Sequence, residues 1–251
     1  MTENRKEAED RIEGKNAVME ALKAGRAIDK LYIAKGEQDK ALRFILQKGK
    51  AAGAVISEVD RRKLDAMSVT HAHQGVIAVA ALREYVTVAD ILAIAEERGE
   101  PPLLVICDEI SDPHNLGAII RTAECSGAHG VVIPKHRSAG VTAVVEKTSA
   151  GAAEHMAVAR VGNLASALEE LKAAGVWVYG TAADGAHTLW ETDLTGPAAI
   201  VIGSEGSGMS RLTREKCDFL LSIPLRGRVS SLNASAAAAV VLYESLRQRS
   251  K

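Results

Sequence analysis

The chain has 251 residues, of which 47% are hydrophobic and 25% charged, with a formal net charge of −1. This is the composition of an ordinary globular protein, long enough for one large domain or two smaller ones. A net charge this small gives no overall nucleic-acid signature and argues against a chain that simply coats a polyanion. The sequence contains no run of about 18 apolar residues that would span a bilayer.

The N-terminal residues 1–15 are charged throughout and lack the apolar core of a signal peptide. We therefore expect a cytoplasmic protein with no membrane partner. The three cysteines, Cys107, Cys125 and Cys217, lie far apart in apolar surroundings and have no metal-ligand spacing. They are predicted to be buried free thiols, and no metal is expected.

The first 82 residues are predicted to form a small α/β module, in which residues 1–10 are a charged tail. Helical spacing and strand-like runs alternate, with helices at 14–25, 39–53 and 61–67 and strands at 31–34, 54–59 and 75–82. Residues 11–63 hold 13 Lys and Arg against 7 Asp and Glu. This surplus is compatible with an RNA-facing surface and equally with a solvated one.

Residues 83–101 are predicted to be a linker or a short helix, and residues 102–251 a second domain. Near-continuous apolar strands alternate there with amphipathic helices. Such strands indicate a parallel sheet covered on both faces. The predicted strands cover 103–110, 130–134, 156–161, 176–182, 198–202 and 219–224, and the predicted helices 115–127, 142–152, 165–175, 210–217 and the Ala-rich segment after Asn233.

Three loops at predicted strand ends carry the unusual residues. In the first loop Asn115 is placed as an N-cap, and Arg121 lies beside a packed face, where an arginine usually needs a partner. The second loop, Gly203–Ser210, has the spacing GxxGxG, and fewer than 50 residues follow it. It therefore does not fit the GxGxxG motif of a dinucleotide-binding domain.

The third loop, Ile223–Asn233, holds two arginines and two serines and ends at Asn233, a predicted N-cap. The following helix is rich in alanine, so other parts of the chain can pack close to its backbone. Loops at the carboxyl ends of strands hold ligands in open α/β sheets. We expect the ligand site here.

The three loops carry a family resemblance. The segments NLGAIIRTAECSG, VIGSEGSGMS and IPLRGRVSSLNASAAAA resemble the signature motifs of the SpoU (TrmH) family of RNA ribose 2′-O-methyltransferases. The segments GKNAVMEAL and HQGVIAVA resemble the substrate-binding domain that precedes the catalytic domain in members acting on 23S rRNA. The resemblance covers about residues 12–250.

The resemblance implies a SPOUT-type α/β domain with a parallel sheet and a deep trefoil knot, preceded by an RNA-binding domain like ribosomal protein L30e. It implies S-adenosylmethionine (SAM) as cofactor, RNA as substrate and a homodimer. The implied cofactor residues are Gly203, Ser204, Glu205, Ile223, Leu225, Ser231 and Leu232. The implied catalytic residues are Asn115, Arg121, Glu205, Ser231 and Asn233, and those facing RNA are Arg226, Arg228 and His114.

Leu225 and Ala234 stand where the family often has Met and Val, and both remain apolar. In the implied chemistry Arg121 is the proposed base, although an arginine with a pKa above about 12 is a poor one. Its other role is to bind the substrate phosphate and stabilise the developing alkoxide. Ser231, Asn233 and Glu205 are expected to hold it.

The expected substrate is a guanosine of 23S rRNA. The alternatives are a tRNA, another rRNA nucleotide, or a non-catalytic RNA-binding protein of the same fold.

Overall fold

In the computed structural model the chain is described over residues 11–36, 39–68, 70–80 and 84–250. It divides into two compact units, Met1–Glu84 with Gly140–Val144, and Tyr85–Ala139 with Val145–Lys251. The predicted tail at residues 1–10 lies outside the described residues, as do residues 81–83 at the predicted domain boundary. Within the described residues, no helix has both the length and the apolar character that a membrane crossing requires.

The first unit contains a four-stranded sheet in the order β1-β4-β2-β3. Only β2 and β3 pair in parallel. Its strands are β1 (Arg11–Glu13), β2 (Ile28–Ala34), β3 (Val55–Val59) and β4 (Val76–Ala80), and its helices are α1 (Lys15–Lys23), α2 (Lys40–Ala51) and α3 (Arg61–Met67). The alternation predicted for this module is confirmed, but β1 was missed and β2 begins three residues earlier than predicted.

The core of the first unit follows from the spacing of its apolar residues. Val18 and Leu22 of α1 and Ile45 of α2 are buried against Leu31 and Ile33 of β2. Alternate residues of a strand point to opposite faces, so Leu31 and Ile33 share one face of the sheet. Two helices therefore cover that face.

The second unit contains a seven-stranded sheet in the order β7-β6-β5-β10-β8-β11-β9. Every adjacent pair is parallel. The strands are β5 (Leu103–Cys107), β6 (Gly130–Pro134), β7 (Val158–Val161), β8 (Trp177–Thr181), β9 (His187–Thr188), β10 (Ala198–Ile202) and β11 (Phe219–Ser222). The predicted parallel sheet is confirmed, whereas the short β9 was not predicted.

The helices of the second unit are α4 (Val88–Arg98), α5 (Pro113–Cys125), α7 (Leu164–Ala173), α8 (Arg211–Lys216) and α9 (Ala234–Arg249). The short α6 (Ala143–Thr148) begins in the residues assigned to the first unit and ends in those assigned to the second. The segment predicted as a linker or short helix contains α4, a helix of 11 residues. A reciprocal capping box between Thr87 and Asp90 begins it, and Gly99 ends it in the left-handed conformation. The knot and the L30e-like fold stay predictions.

The core of the second unit lies between the sheet and its helices. Ile91 of α4 and Leu168 and Leu171 of α7 are buried against the strand residues Ile106 and Val178. All five residues of β5 and all five of β10 are buried. Continuous burial along these strands explains why they read as unbroken apolar runs in the sequence.

The prediction that all three cysteines are buried needs correction. Cys107 is buried and Cys217 partly buried, but Cys125 is exposed at the end of α5, where helical rotation turns it away from the packed face. Burial raises the pKa of both Cys107 and Cys217 to about 12. Trp177 and Trp190 are 53% and 55% exposed. Neither tryptophan is a core residue.

His129 is a buried histidine with both ring nitrogens in hydrogen bonds. Its Nδ1 accepts from the Leu103 N–H at 3.0 Å and its Nε2 pairs with Glu100 at 3.0 Å. This pattern assigns the neutral ring with its proton on Nε2, because a proton on Nδ1 would break the bond to Leu103. Burial, together with the charges of Arg98 and Arg249, lowers the pKa of His129 although Glu100 opposes the shift.

We expect the stability that depends on neutral His129 to be present above pH 6.5, the ordinary pKa of histidine. It should be lost as the pH falls below that value, because the unfolded chain then binds a proton that the folded chain resists. Melting temperatures measured between about pH 7.5 and 5.5 should fall more steeply for the wild type than for His129→Gln. His155→Gln, which changes an exposed histidine of the same unit, should follow the wild type. Equal slopes for all three proteins would contradict the assignment.

Candidate active site

The residues singled out by the sequence lie at the carboxyl ends of the parallel strands. β5 leads into the loop before α5, β10 into Gly203–Ser210, and β11 into the loop before α9. β5 and β10 are neighbours in the sheet. Strands β6 and β7 follow β5 on one side, and strands β8 and β11 follow β10 on the other. The three loops therefore meet where the strand order reverses, which is the usual ligand position in open α/β sheets.

The first loop positions Asn115 differently from the prediction. Helix α5 begins at Pro113, and its N-cap is Asp112, whose side chain accepts a hydrogen bond from the His114 N–H at 3.0 Å. Proline favours the first helical position because its fixed φ suits the helix and its missing N–H costs no hydrogen bond there. Asn115 therefore lies inside the first turn, and its side chain is not used as a cap.

Asn115, Glu205 and Asn233 form a hydrogen-bonded cluster that joins the three loops. The Asn115 Nδ2 donates to Glu205 Oε1 at 2.8 Å, and the Asn233 Nδ2 donates to Asn115 Oδ1 at 2.9 Å. Asn233 Nδ2 also donates to Glu205 Oε1. A carboxylate that accepts from two amide groups is held in one orientation.

Asn233 contributes to this cluster with one end of its side chain and caps α9 with the other. Its Oδ1 accepts from the backbone N–H groups of Ser235 at 2.9 Å and Ala236 at 3.2 Å. The predicted N-cap is thus confirmed. Because the cap fixes the side chain, the Nδ2 is directed at Glu205 and Asn115.

The glycine-rich loop after β10 folds tightly back on itself. Backbone hydrogen bonds join Ser204 and Gly208 in both directions at 3.0 and 2.9 Å. A Cβ on Gly203 would collide with the backbone of Gly208 and Met209. Asp108, buried at the end of β5, accepts from the Ser210 N–H at 2.7 Å. The position therefore requires glycine, and Asp108 anchors the loop to the neighbouring strand.

A cavity of about 460 Å³ opens beside this loop. The structure brings all the predicted cofactor residues together on its wall, and they are Gly203, Ser204, Glu205, Ile223, Leu225, Ser231 and Leu232. Ala234 and Ala237 of α9 also line it, which agrees with the close approach expected of an alanine-rich helix. The volume lies in the range of sites that bind small molecules and cofactors.

Arg121 and Ser231 do not join the polar cluster. Arg121 is exposed on α5, and within the described part of the chain it forms no hydrogen bond or ion pair. Six residues separate it from Asn115, which places the two side chains about 120° apart around the helix. The predicted contacts from Glu205, Ser231 and Asn233 to Arg121 are thus not seen within one chain. The catalytic role of Arg121 stays a prediction.

The residues predicted to face RNA are all accessible. Arg226 and Arg228 lie in the exposed loop after β11, and His114 is exposed on the first turn of α5. The Nδ1 of His114 lies 3.3 Å from the hydroxyl of Thr148. Seven residues separate His114 from Arg121, so the two share one face of the helix.

Sequence reasoning missed three charged residues of this region. Asp108 anchors the glycine-rich loop, and Asp184 and Arg214 line the cavity. Asp108 was visible as the first polar residue after a buried strand, whereas Asp184 and Arg214 lie 30 residues apart and follow no shared motif. No group of three His, Cys, Asp or Glu residues among those described could hold a metal ion.

A parallel α/β domain with a cavity of this size and a polar cluster at its carboxyl edge is the arrangement found in many enzymes that bind a cofactor. Residues 102–243 match the SpoU rRNA Methylase family, and residues 11–86 match the family of RNA 2′-O ribose methyltransferase substrate-binding domains. The chain belongs to the SpoU family. It is therefore an RNA ribose 2′-O-methyltransferase, and the prediction of SAM as its cofactor is confirmed.

The similarity to known proteins extends over almost the whole chain. The Bacillus subtilis protein YacO, whose name assigns it to the TrmH family of tRNA/rRNA methyltransferases, is 50% identical over 96% of both chains. The 23S rRNA (guanosine-2′-O-)-methyltransferase RlmB of Coxiella burnetii is 44% identical over 95% of both. Among solved structures, the chain is similar to the SpoU methyltransferase AviRb from Streptomyces viridochromogenes, crystallised in complex with AdoMet. The two share 27% sequence identity and superpose with a TM-score of 0.60, over 95% of this chain and 90% of AviRb.

Proposed function

We propose that the protein transfers a methyl group from SAM to the ribose 2′-hydroxyl of a guanosine in 23S rRNA. The observation that carries the proposal is the 44% identity to RlmB of Coxiella burnetii over 95% of both chains. That span includes both the methyltransferase domain and the substrate-binding domain of this chain. A cytoplasmic location is part of the proposal, because ribosomal RNA is a cytoplasmic substrate.

The cavity beside the glycine-rich loop is the proposed SAM site. Gly203 allows the tight loop that forms one wall, and Ile202 and Leu221 give the cavity apolar walls. Ile223 and Leu232 also line the cavity, and their backbone groups would help to hold the cofactor. When bound, SAM supplies an activated methyl group on its sulfonium.

The polar cluster is the proposed site of the ribose. Asn115 would orient the sugar, while Glu205 and Asn233 hold Asn115 in place through the hydrogen bonds described above. Ideal positioning of two reactants can lower a reaction barrier by roughly 7–11 kcal/mol. Arg121, with Arg226 and Arg228 beside the cavity loop, would bind RNA phosphates and stabilise the developing alkoxide.

The proposal includes a homodimer. Helix α9 is rich in small residues and leaves Tyr243 51% exposed. A helix of small residues lets a second subunit pack close to its backbone, and exposed aromatic residues are common in subunit interfaces. Sedimentation equilibrium should give twice the monomer mass of 26.5 kDa, and the mass of a single chain would contradict the dimer.

The test of the substrate is methyl transfer from radiolabelled SAM to total RNA that lacks the modification, followed by nuclease mapping of the label. We expect the label on the ribose of one guanosine in 23S rRNA. A label on tRNA or on another rRNA nucleotide would keep the reaction and contradict the substrate. If SAM binds but neither free rRNA nor assembling ribosomal particles are labelled, the protein is a non-catalytic RNA-binding member of the fold.

A further inference from the structure

A charged pair, Asp184 and Arg214, lines the cavity. Asp184 lies in the loop after β8, and Arg214 lies on α8. The Arg214 guanidinium donates to the Asp184 carboxylate through Nη1 at 3.0 Å and Nη2 at 2.9 Å. Both side chains contribute to the wall that also includes Gly203, Ile223 and Leu232.

Stability of the fold does not account for this pair. The Asp184 side chain is 72% exposed and that of Arg214 is 38% exposed, and ion pairs with such access to solvent contribute little to stability. The hydrogen bond from Arg214 lowers the pKa of Asp184, so both groups are charged at neutral pH. An exposed pair can exchange its internal partner for a ligand at small cost.

The residues already assigned to the cavity leave one end of SAM without matching charges. Those seven residues offer backbone groups, hydroxyls, apolar side chains and the single carboxylate of Glu205. The amino-acid end of SAM carries a carboxylate and an ammonium group on the same carbon. A charged group that leaves water needs a partner of opposite charge. Among the described residues that line the cavity, Arg214 carries the one positive charge.

We propose that Asp184 and Arg214 are the subsite for the amino-acid end of SAM, with Arg214 binding its carboxylate and Asp184 its ammonium group. The proposal rests on the SAM site proposed above. In the free protein the two side chains form an ion pair with each other. When SAM binds, this pair is replaced by two ion pairs, one from each side chain to the ligand. A fork-shaped guanidinium suits a carboxylate, because two parallel hydrogen bonds can form.

Calorimetric titration with three ligands tests each contact separately. The ligands are SAM, decarboxylated SAM, which keeps the ammonium group, and 5′-methylthioadenosine, which lacks the whole amino-acid end. We expect Arg214→Gln to weaken SAM binding about tenfold or more and to leave the other two ligands unchanged. Asp184→Asn should weaken SAM and decarboxylated SAM by about the same factor and leave 5′-methylthioadenosine unchanged.

Arg211→Gln is the matched control. Arg211 lies on the same helix and forms an ion pair with Glu215 at 2.7 Å, but it is not part of the cavity wall. Its loss should change none of the three affinities. Equal weakening of SAM and 5′-methylthioadenosine by Arg214→Gln, or no weakening at all, would overturn the subsite. A wild-type protein that binds none of the three ligands would instead overturn the SAM site itself.

Discussion

Arg121→Ala is expected to lower the rate of methyl transfer about 10³-fold or more. The fold and the affinity for SAM should stay as in the wild type. The structural reason is that Arg121 is exposed and has no hydrogen bond or ion pair within the described residues of its chain. Its removal therefore leaves no buried group without a partner. Because Arg121 does not line the cavity, the affinity for SAM should not depend on it.

Three measurements separate the roles open to Arg121. These are single-turnover methyl transfer, RNA affinity and SAM affinity for the wild type, Arg121→Ala and Arg121→Lys. If Arg121 binds a phosphate, the alanine variant loses RNA affinity and lysine restores part of it, because an ammonium keeps the charge without the two-pronged geometry. If Arg121 stabilises the alkoxide, the rate at saturating RNA falls instead.

Glu124→Ala provides the control, since it removes an exposed charge from the same helix and should leave methyl transfer unchanged. Near-normal turnover by Arg121→Ala would refute the assignment of Arg121 to the reaction. A large loss of melting temperature in that variant would also contradict the reasoning, because it would show that Arg121 has a structural partner.

The sequence was sufficient for the architecture because both units obey local rules. Apolar runs that are buried on both sides, such as β5 and β10, appear as unbroken hydrophobic segments and predict a parallel sheet. The end of α1 before Gly25 and the start of α9 after Asn233 follow from standard termination and capping preferences. These features depend on neighbouring residues only.

The errors arose where two local signals competed or where the deciding contact was distant. Asn115 looked like an N-cap, but Asp112 followed by Pro113 is the stronger helix start and lies three residues earlier. The exposure of Cys125 depends on which face of α5 packs against the rest of the domain, and no residue next to it in the sequence decides this.

In the candidate site, too, the residues could be predicted from local motifs but their contacts could not. The family motifs identified the cavity residues and the members of the polar cluster. The hydrogen bonds that join Asn115 to Glu205 and Asn233 span 90 and 118 residues, so no spacing rule could predict their geometry. The Asp184–Arg214 pair lies outside those motifs, and only the structure places it on the cavity wall.

Asn233 allows the structural and functional parts of the polar cluster to be separated, because its two side-chain atoms have different tasks. Asn233→Asp keeps the oxygen that caps α9 but replaces the Nδ2 donor with a second oxygen beside the Glu205 carboxylate. We expect methyl transfer to fall about 10²-fold. The melting temperature should change little, because aspartate caps helices as well as asparagine does.

Asn233→Ala should lose both functions. Removal of the cap costs about 1 kcal/mol, which lowers the melting temperature of a chain of this size by about 2–4 °C, and the loss of the donor lowers methyl transfer as in the aspartate variant. Asn163→Ala is the matched control, because Asn163 caps α7 through the Ser166 N–H at 3.2 Å and does not line the cavity. It should lose stability and retain methyl transfer. If Asn233→Asp is fully active, the hydrogen bonds from Asn233 to Asn115 and Glu205 serve the fold rather than the reaction, and Asn233 is only a helix cap.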